Sequence, residues 1–159
     1  MLKGIPKILS PELLKVLCEM GHSDRIVIAD GNFPSESMGK DAIVIRCDGH
    51  GVPEILDAIL QVFPLDTYVE NPVNLMQLMP DDVGKVETPI WDTYKEIVKK
   101  HDDRGEAAIG NIERFAFYDE AKTAQAENEV KIAELENKIR HAKIIDEKEI
   151  DTDTVQIGN

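Results

Sequence analysis

The sequence predicts one layered α/β domain followed by a charged helical extension. Two features carry the domain: short β-branched apolar runs at Arg25-Ile26-Val27-Ile28-Ala29 and Ala42-Ile43-Val44-Ile45, and three amphipathic segments with helix-start signals that alternate with extended ones. A third feature sets the extension apart. From Asp119 onward acids and bases alternate, and neither proline nor glycine occurs until Gly158. The chain therefore divides into a domain over 1–118, a charged helix over 119–150 and a polar, frayed end over 151–159. With 159 residues, 42% of them apolar, it can bury one core of ordinary size but not two.

Ser10-Pro11-Glu12, followed by Leu13, Leu14, Val16, Leu17 and Met20, opens the clearest helix: Ser10 can cap free N–H groups, Pro11 suits the first turn, and Gly21 can end it. The run from Arg25 to Ala29 is of the kind that fills a strand buried on both faces, with Asp30 as its polar exit. Gly31 to Gly39, carrying Asn32, Pro34, Ser35 and Ser37, is a turn-rich loop of a length often used for binding. The second strand, Ala42 to Ile45, leaves through Arg46 to Asp48.

Pro53 to Phe63 places Ile55, Leu56, Ile59, Leu60 and Phe63 at helical intervals, and extended segments are expected at Thr67 to Val69 and Asn74 to Met79. Thr88-Pro89 opens a third helix whose Trp91, Tyr94, Ile97 and Val98 share a face. In the extension, Ile132, Leu135, Ile139 and Ala142 are spaced three, four, three. That seam is shorter than the three to four heptads, approximately, that argue for a coiled coil.

The balance of 31 acidic against 18 basic side chains, a formal charge of -13, repels phosphate backbones and anionic lipid surfaces. Nucleic acid and membrane are accordingly excluded as expected partners. Cys18 and Cys47 fall in apolar runs without metal-ligand spacing and read as small buried hydrophobes in a reducing compartment. The first nine residues, broken by Gly4, Pro6 and Lys7, carry no signal-peptide or membrane-span pattern, so a cytoplasmic protein is expected.

Ligands of α/β sheets usually bind beyond the carboxyl ends of strands, which directs attention to Asp30, Arg46 and Asp48. His22 lies in the same neighbourhood, in a Gly-His-Ser-Asp turn, where it either faces a cleft or bonds the last carbonyls of the preceding helix. Asp30 either orients a ligand or closes a turn. Arg114, within Ile112-Glu113-Arg114-Phe115-Ala116-Phe117-Tyr118, is either a half-buried donor fork or a surface side chain paired with Glu113. Asp48-Gly49-His50-Gly51 lacks the spacing of a phosphate loop or a metal motif, and His101 and His141 read as solvated surface.

In order along the chain, Met1-Leu2-Lys3-Gly4-Ile5, Ser10-Pro11-Glu12-Leu13-Leu14-Lys15-Val16-Leu17, Glu19-Met20-Gly21-His22, Ile28-Ala29-Asp30-Gly31-Asn32-Phe33-Pro34 and Glu113-Arg114-Phe115-Ala116-Phe117-Tyr118 closely resemble the L-fucose mutarotase branch of the family it shares with D-ribose pyranase. The likeness spans about residues 1 to 124. It implies a three-layer α/β/α sandwich, homo-oligomeric rings, a free monosaccharide as ligand, and catalysis with neither metal nor organic cofactor. It also implies that His22 transfers the proton while Asp30 and Arg114 contact the sugar.

The family continues with a strand, a turn and a sugar-contacting Tyr-x-Asn element, which this chain lacks: the corresponding interval reads Glu127-Asn128-Glu129-Val130-Lys131 and Leu135-Glu136-Asn137-Lys138. Two functions follow as expectations. One is mutarotation of L-fucose or a related free sugar, with ribose as the variant substrate. The other is a non-catalytic sugar-binding or assembly protein that lost part of the site with its C-terminal end.

Overall fold

The computed structural model describes residues 2–121. The charged extension from residue 122, its apolar seam and the interval that lacks Tyr-x-Asn lie outside the described residues.

Helix α1, Pro11–Glu19, forms as its sequence dictates: Ser10 accepts a hydrogen bond from the Leu13 N–H at 3.2 Å, and the Met20 N–H closes the last turn on the Val16 carbonyl. Its buried stripe is Leu13 and Leu17. Cys18 stands one residue beyond that stripe, about 100° round the helix, and is exposed where burial was expected; Cys47 is half-buried. The loop that follows Asp30 contains one short helix, α2, Ser35–Met38.

Helix α3, Val52–Leu60, begins with Pro53 in its first turn while the Glu54 carboxylate accepts the Gly51 N–H at 3.2 Å. Ile55, Ala58 and Ile59 of α3 pack with Leu9, Leu13 and Leu17 to form the buried core. Helix α4, Pro89–His101, buries Val98 and ends in Lys99 and Lys100, cations placed at the negative end of its dipole, and His101. It packs on α3.

The sheet among the described residues is a parallel pair, β1 (Val73–Met76) and β2 (Ile109–Ile112), in register from Val73↔Ile109 to Met76↔Ile112. Helix α4 is the crossover between them, as parallel pairing requires. Strand β1 overlaps the extended segment expected from Asn74 to Met79, starting one residue earlier and ending at Met76. Strand β2 gives little strand signal, because Ile-Gly-Asn-Ile has a glycine and an asparagine at its centre. Its glycine answers to geometry: a Cβ on Gly110 would lie 2.8 Å from Asn74 Oδ1 and 2.9 Å from Asn71 Cβ. A final helix, α5, runs from 114 to the end of the described residues at 121.

The two apolar runs expected as doubly buried strands behave otherwise. Residues 25–29 and 42–45 carry no assigned strand, and each lays only part of its length on the core. Ile28, Ile45 and Cys47 pack against the α1–α3 cluster, while Ile26, Val27 and Ile43 face outward, Ile43 being 70% exposed. Composition alone cannot separate one-faced from two-faced burial, since a β-branched run suits either once a partner is available. Among the described residues helix and strand are mixed around one buried core.

Candidate functional site

The turn after α1 is closed by its own residues. Asp24 Oδ2 accepts the Gly21 N–H at 2.7 Å, the Asp24 N–H returns to the Gly21 carbonyl at 3.2 Å, and Ser23 takes a positive φ of 72°. His22 bonds Asp66 with its ring and no carbonyl of the preceding helix. Its side chain is 76% exposed, and Nδ1 lies 3.1 Å from Asp66 Oδ2. With Nδ1–H donated to this carboxylate, the proton-free lone pair of a neutral imidazole is on Nε2.

Asp66 belongs to a turn built from side-chain hydrogen bonds. Its Oδ1 accepts the Tyr68 N–H at 2.8 Å, and this bond, followed by the one from His22, lowers its pKa below the ordinary carboxylate value. Arg104 Nη1 donates to the carbonyls of Asp66 (3.2 Å) and Val69 (3.0 Å), while its Nε and Nη2 fork onto Asp102. The fork holds Asp102 below and Arg104 above their usual values. The expected extended segment at Thr67 to Val69 is thus a bend clamped by a guanidinium. Within it Tyr68 meets His22 edge to face, ring centroids 5.3 Å apart at 81°.

Asp30 and Arg114 form a second group. Asp30 Oδ1 accepts the Asn32 N–H at 2.9 Å in an Asx turn that directs Phe33 towards α5. Phe33 stacks on Tyr118 (5.5 Å, 9°) and meets Phe117 edge-on (5.9 Å, 89°). Arg114 places its guanidinium carbon 5.9 Å from the Tyr118 ring centre. The pairing with Glu113 considered from sequence does not form; Glu113 instead accepts the Phe115 and Ala116 N–H groups at the start of α5. The Asp30 charge reaches Tyr94 on α4, whose hydroxyl pKa is raised, first by burial and then by that carboxylate.

The stretch 22–30 connects the two groups covalently, and Arg25 on it ion-pairs with Glu120 of α5. Asp30 therefore closes a turn, and its charge lies near enough to α4 to bear on Tyr94. Arg46 and Asp48 form an exposed bidentate pair, with Nη2 to Oδ1 at 2.8 Å. His50 lies 3.4 Å from Glu54. His101 is not solvated surface: at 14% exposure its Nε2 meets Asp57 Oδ1 at 2.7 Å, beside Lys100 Nζ at 2.8 Å.

Asp66, Tyr68 and Arg104 escaped the sequence reading. Asp66 is 44 residues from His22, and the signal available, an Asp two residues before a backbone N–H it can accept, is one that any Asx turn shares.

The model of the RbsD / FucU transport protein family matches residues 3–134. The chain is 48% identical over 127 residues to the fucose mutarotase of Mus musculus, covering 79% of this chain and 82% of that one. Its fold is similar to that of FucU from Bifidobacterium longum, with TM-score 0.72 and 68% identity over 76% of this chain and 82% of the other. It is also similar to the fucose mutarotase of Streptococcus pneumoniae solved in complex with L-fucose, with TM-score 0.68 and 43% identity over 78% and 84% of the two chains.

Proposed function

Because the chain belongs to the RbsD / FucU transport protein family, we infer that it is a mutarotase that interconverts the α and β anomers of L-fucose. The observation that carries the site assignment is the exposed His22 with Nδ1 on Asp66 at 3.1 Å.

Mutarotation takes a proton from the anomeric hydroxyl and delivers one to the ring oxygen. The open aldehyde turns about one bond and closes on the other face. A histidine that gives and receives near neutrality contributes about 10²- to 10⁴-fold to such a step. With Asp66 holding the tautomer, Nε2 of His22 takes the anomeric proton, and the carboxylate stabilises the imidazolium until it returns the proton to the ring oxygen. Asp30 and Arg114 hold sugar hydroxyls so that the opened chain stays in place. Neither step calls for a nucleophile.

The same reading includes three finer expectations: a three-layer α/β/α sandwich over 1–118, homo-oligomeric assembly and a cytoplasmic setting. Outward apolar side chains such as Ile43 and Phe115 support assembly, because a second copy of the chain offers them cover. No helix among the described residues is long and apolar enough to cross a membrane.

The test is magnetisation transfer between the α and β anomeric protons of L-fucose, with the protein, with His22→Ala and without protein. Exchange accelerated by the protein, and reduced by about 10²-fold or more in His22→Ala, is expected. A folded protein that accelerates neither L-fucose nor D-ribose exchange would instead be a sugar-binding or assembly protein that lost turnover with the Tyr-x-Asn element. Faster exchange on ribose than on fucose would reassign the substrate.

A further inference from the structure

Tyr68 is the most exposed large apolar side chain among the described residues, at 86%. A single exposed tyrosine needs no explanation on a protein surface. The backbone beneath this one is another matter: its N–H is fixed by Asp66 Oδ1, and Arg104 grips the carbonyls on either side, at Asp66 and Val69. The ring is thus presented on a clamped turn.

Its position is also tied to His22. One carboxylate serves both, Oδ2 taking the imidazole and Oδ1 the tyrosine N–H, and the two rings stand almost perpendicular with centroids 5.3 Å apart. A sugar that reaches His22 therefore passes beside the tyrosine ring. In a galacto-configured pyranose such as L-fucose, the hydrogens on C3, C4 and C5 share one face, and the methyl group on C5 extends the apolar surface. Aromatic rings match such faces. C5 is bonded to the ring oxygen, so an aromatic ring under C5 and its methyl lies one bond from the atom that must be protonated.

Resting on the mutarotase reading, we propose that Tyr68 is a specificity-determining residue, which receives the C5-methyl face of the sugar beside His22 and favours 6-deoxyhexoses over pentoses of the same ring configuration.

The experiment compares kcat/KM for anomer exchange of L-fucose with that of D-arabinose, which has the same configuration at the shared ring carbons and lacks the C5 methyl. The wild-type protein is expected to prefer fucose by about 10-fold, the lower end of what one carbon in an apolar contact supplies. Tyr68→Ala should remove most of that preference, and Tyr68→Phe should keep it. Should Tyr68→Ala fail to fold by circular dichroism, Tyr68→Gln, which keeps a comparable length and removes the flat apolar face, decides by the same ratio.

An unchanged fucose-to-arabinose ratio in a folded Ala or Gln variant overturns the proposal while leaving the mutarotase reading intact, as does an equal loss on both sugars. A wild-type protein that accelerates neither sugar overturns the mutarotase reading and this inference together.

Discussion

At the scale of single residues, the site rests on how one carboxylate divides its two oxygens. Asp66 receives His22 on one and the Tyr68 N–H on the other, so removing its charge affects both the imidazole's tautomer and the turn. Asp66→Asn is expected to slow fucose anomer exchange by about 10- to 100-fold, less than deletion of the histidine, read from the same NMR experiment. The direction with pH follows from the lowered Asp66 pKa. The carboxylate remains charged throughout the neutral range, and its support for the imidazolium is lost only as pH falls below the ordinary carboxylate value. The sequence singles out His22 by the turn after α1, Asp30 by its place at the end of an apolar run and Arg114 by its apolar flanks, and the roles proposed for them come from the blocks that resemble a known family. Asp66 stays hidden because its partner is 44 residues away, and nothing in Leu65-Asp66-Thr67 distinguishes a carboxylate that also bonds a histidine from one that only closes a turn.

At the scale of elements, α3 and α4 are fastened by Asp57, which accepts both Lys100 and His101 and has its pKa lowered from 3.8 to about 2, first by the Lys100 hydrogen bond and then by that of His101. The folded value is the lower one. The contribution is therefore complete above the unfolded carboxylate's value and is lost as pH falls from 3.8 towards about 2. Allowing for the partial exposure of the pair, Asp57→Asn should cost about 1–2 kcal/mol near neutrality, and the deficit should vanish in acid denaturation profiles taken below that window. The β1–β2 pair makes a separate claim. Gly110→Ala forces a Cβ into Asn71 and Asn74 and should lower stability by about 1–3 kcal/mol in urea unfolding. The helices were legible because caps and periodicity are local: Ser10, Pro53 and Pro89 mark starts that the structure keeps within a residue or two. The strands were not, because pairing is a property of two distant segments. Ile-Gly-Asn-Ile becomes β2 only through its partner, and the stronger-looking run at 25–29 has no assigned ladder.

At the scale of the whole molecule, the charge of -13 and the outward apolar side chains pull in opposite directions, since self-repulsion opposes the close contact that would cover Ile26, Val27 and Ile43. Homo-oligomers are expected in solution, and light scattering at low and high salt checks this: mass above that of the 17.8 kDa chain, held or increased as salt screens the repulsion. A monomer at every ionic strength would count against assembly. One feature of the chain's path bears on how this molecule forms. His101 reaches Asp57 across 44 residues, Arg104 reaches Asp66 and Val69 across 38 and 35, Asn71 reaches Ala107 across 36, and β2 returns to β1 over a similar span. All of these links close one excursion of the chain, the one that carries α4. The entropy of bringing its ends together is met once for the whole set, and each link formed makes the next nearly free of that cost. The clamp beneath Tyr68 and the sheet therefore assemble in a single closure, and the turn that holds Asp66 against His22 inherits the cooperativity of the strands instead of opening as an independent loop.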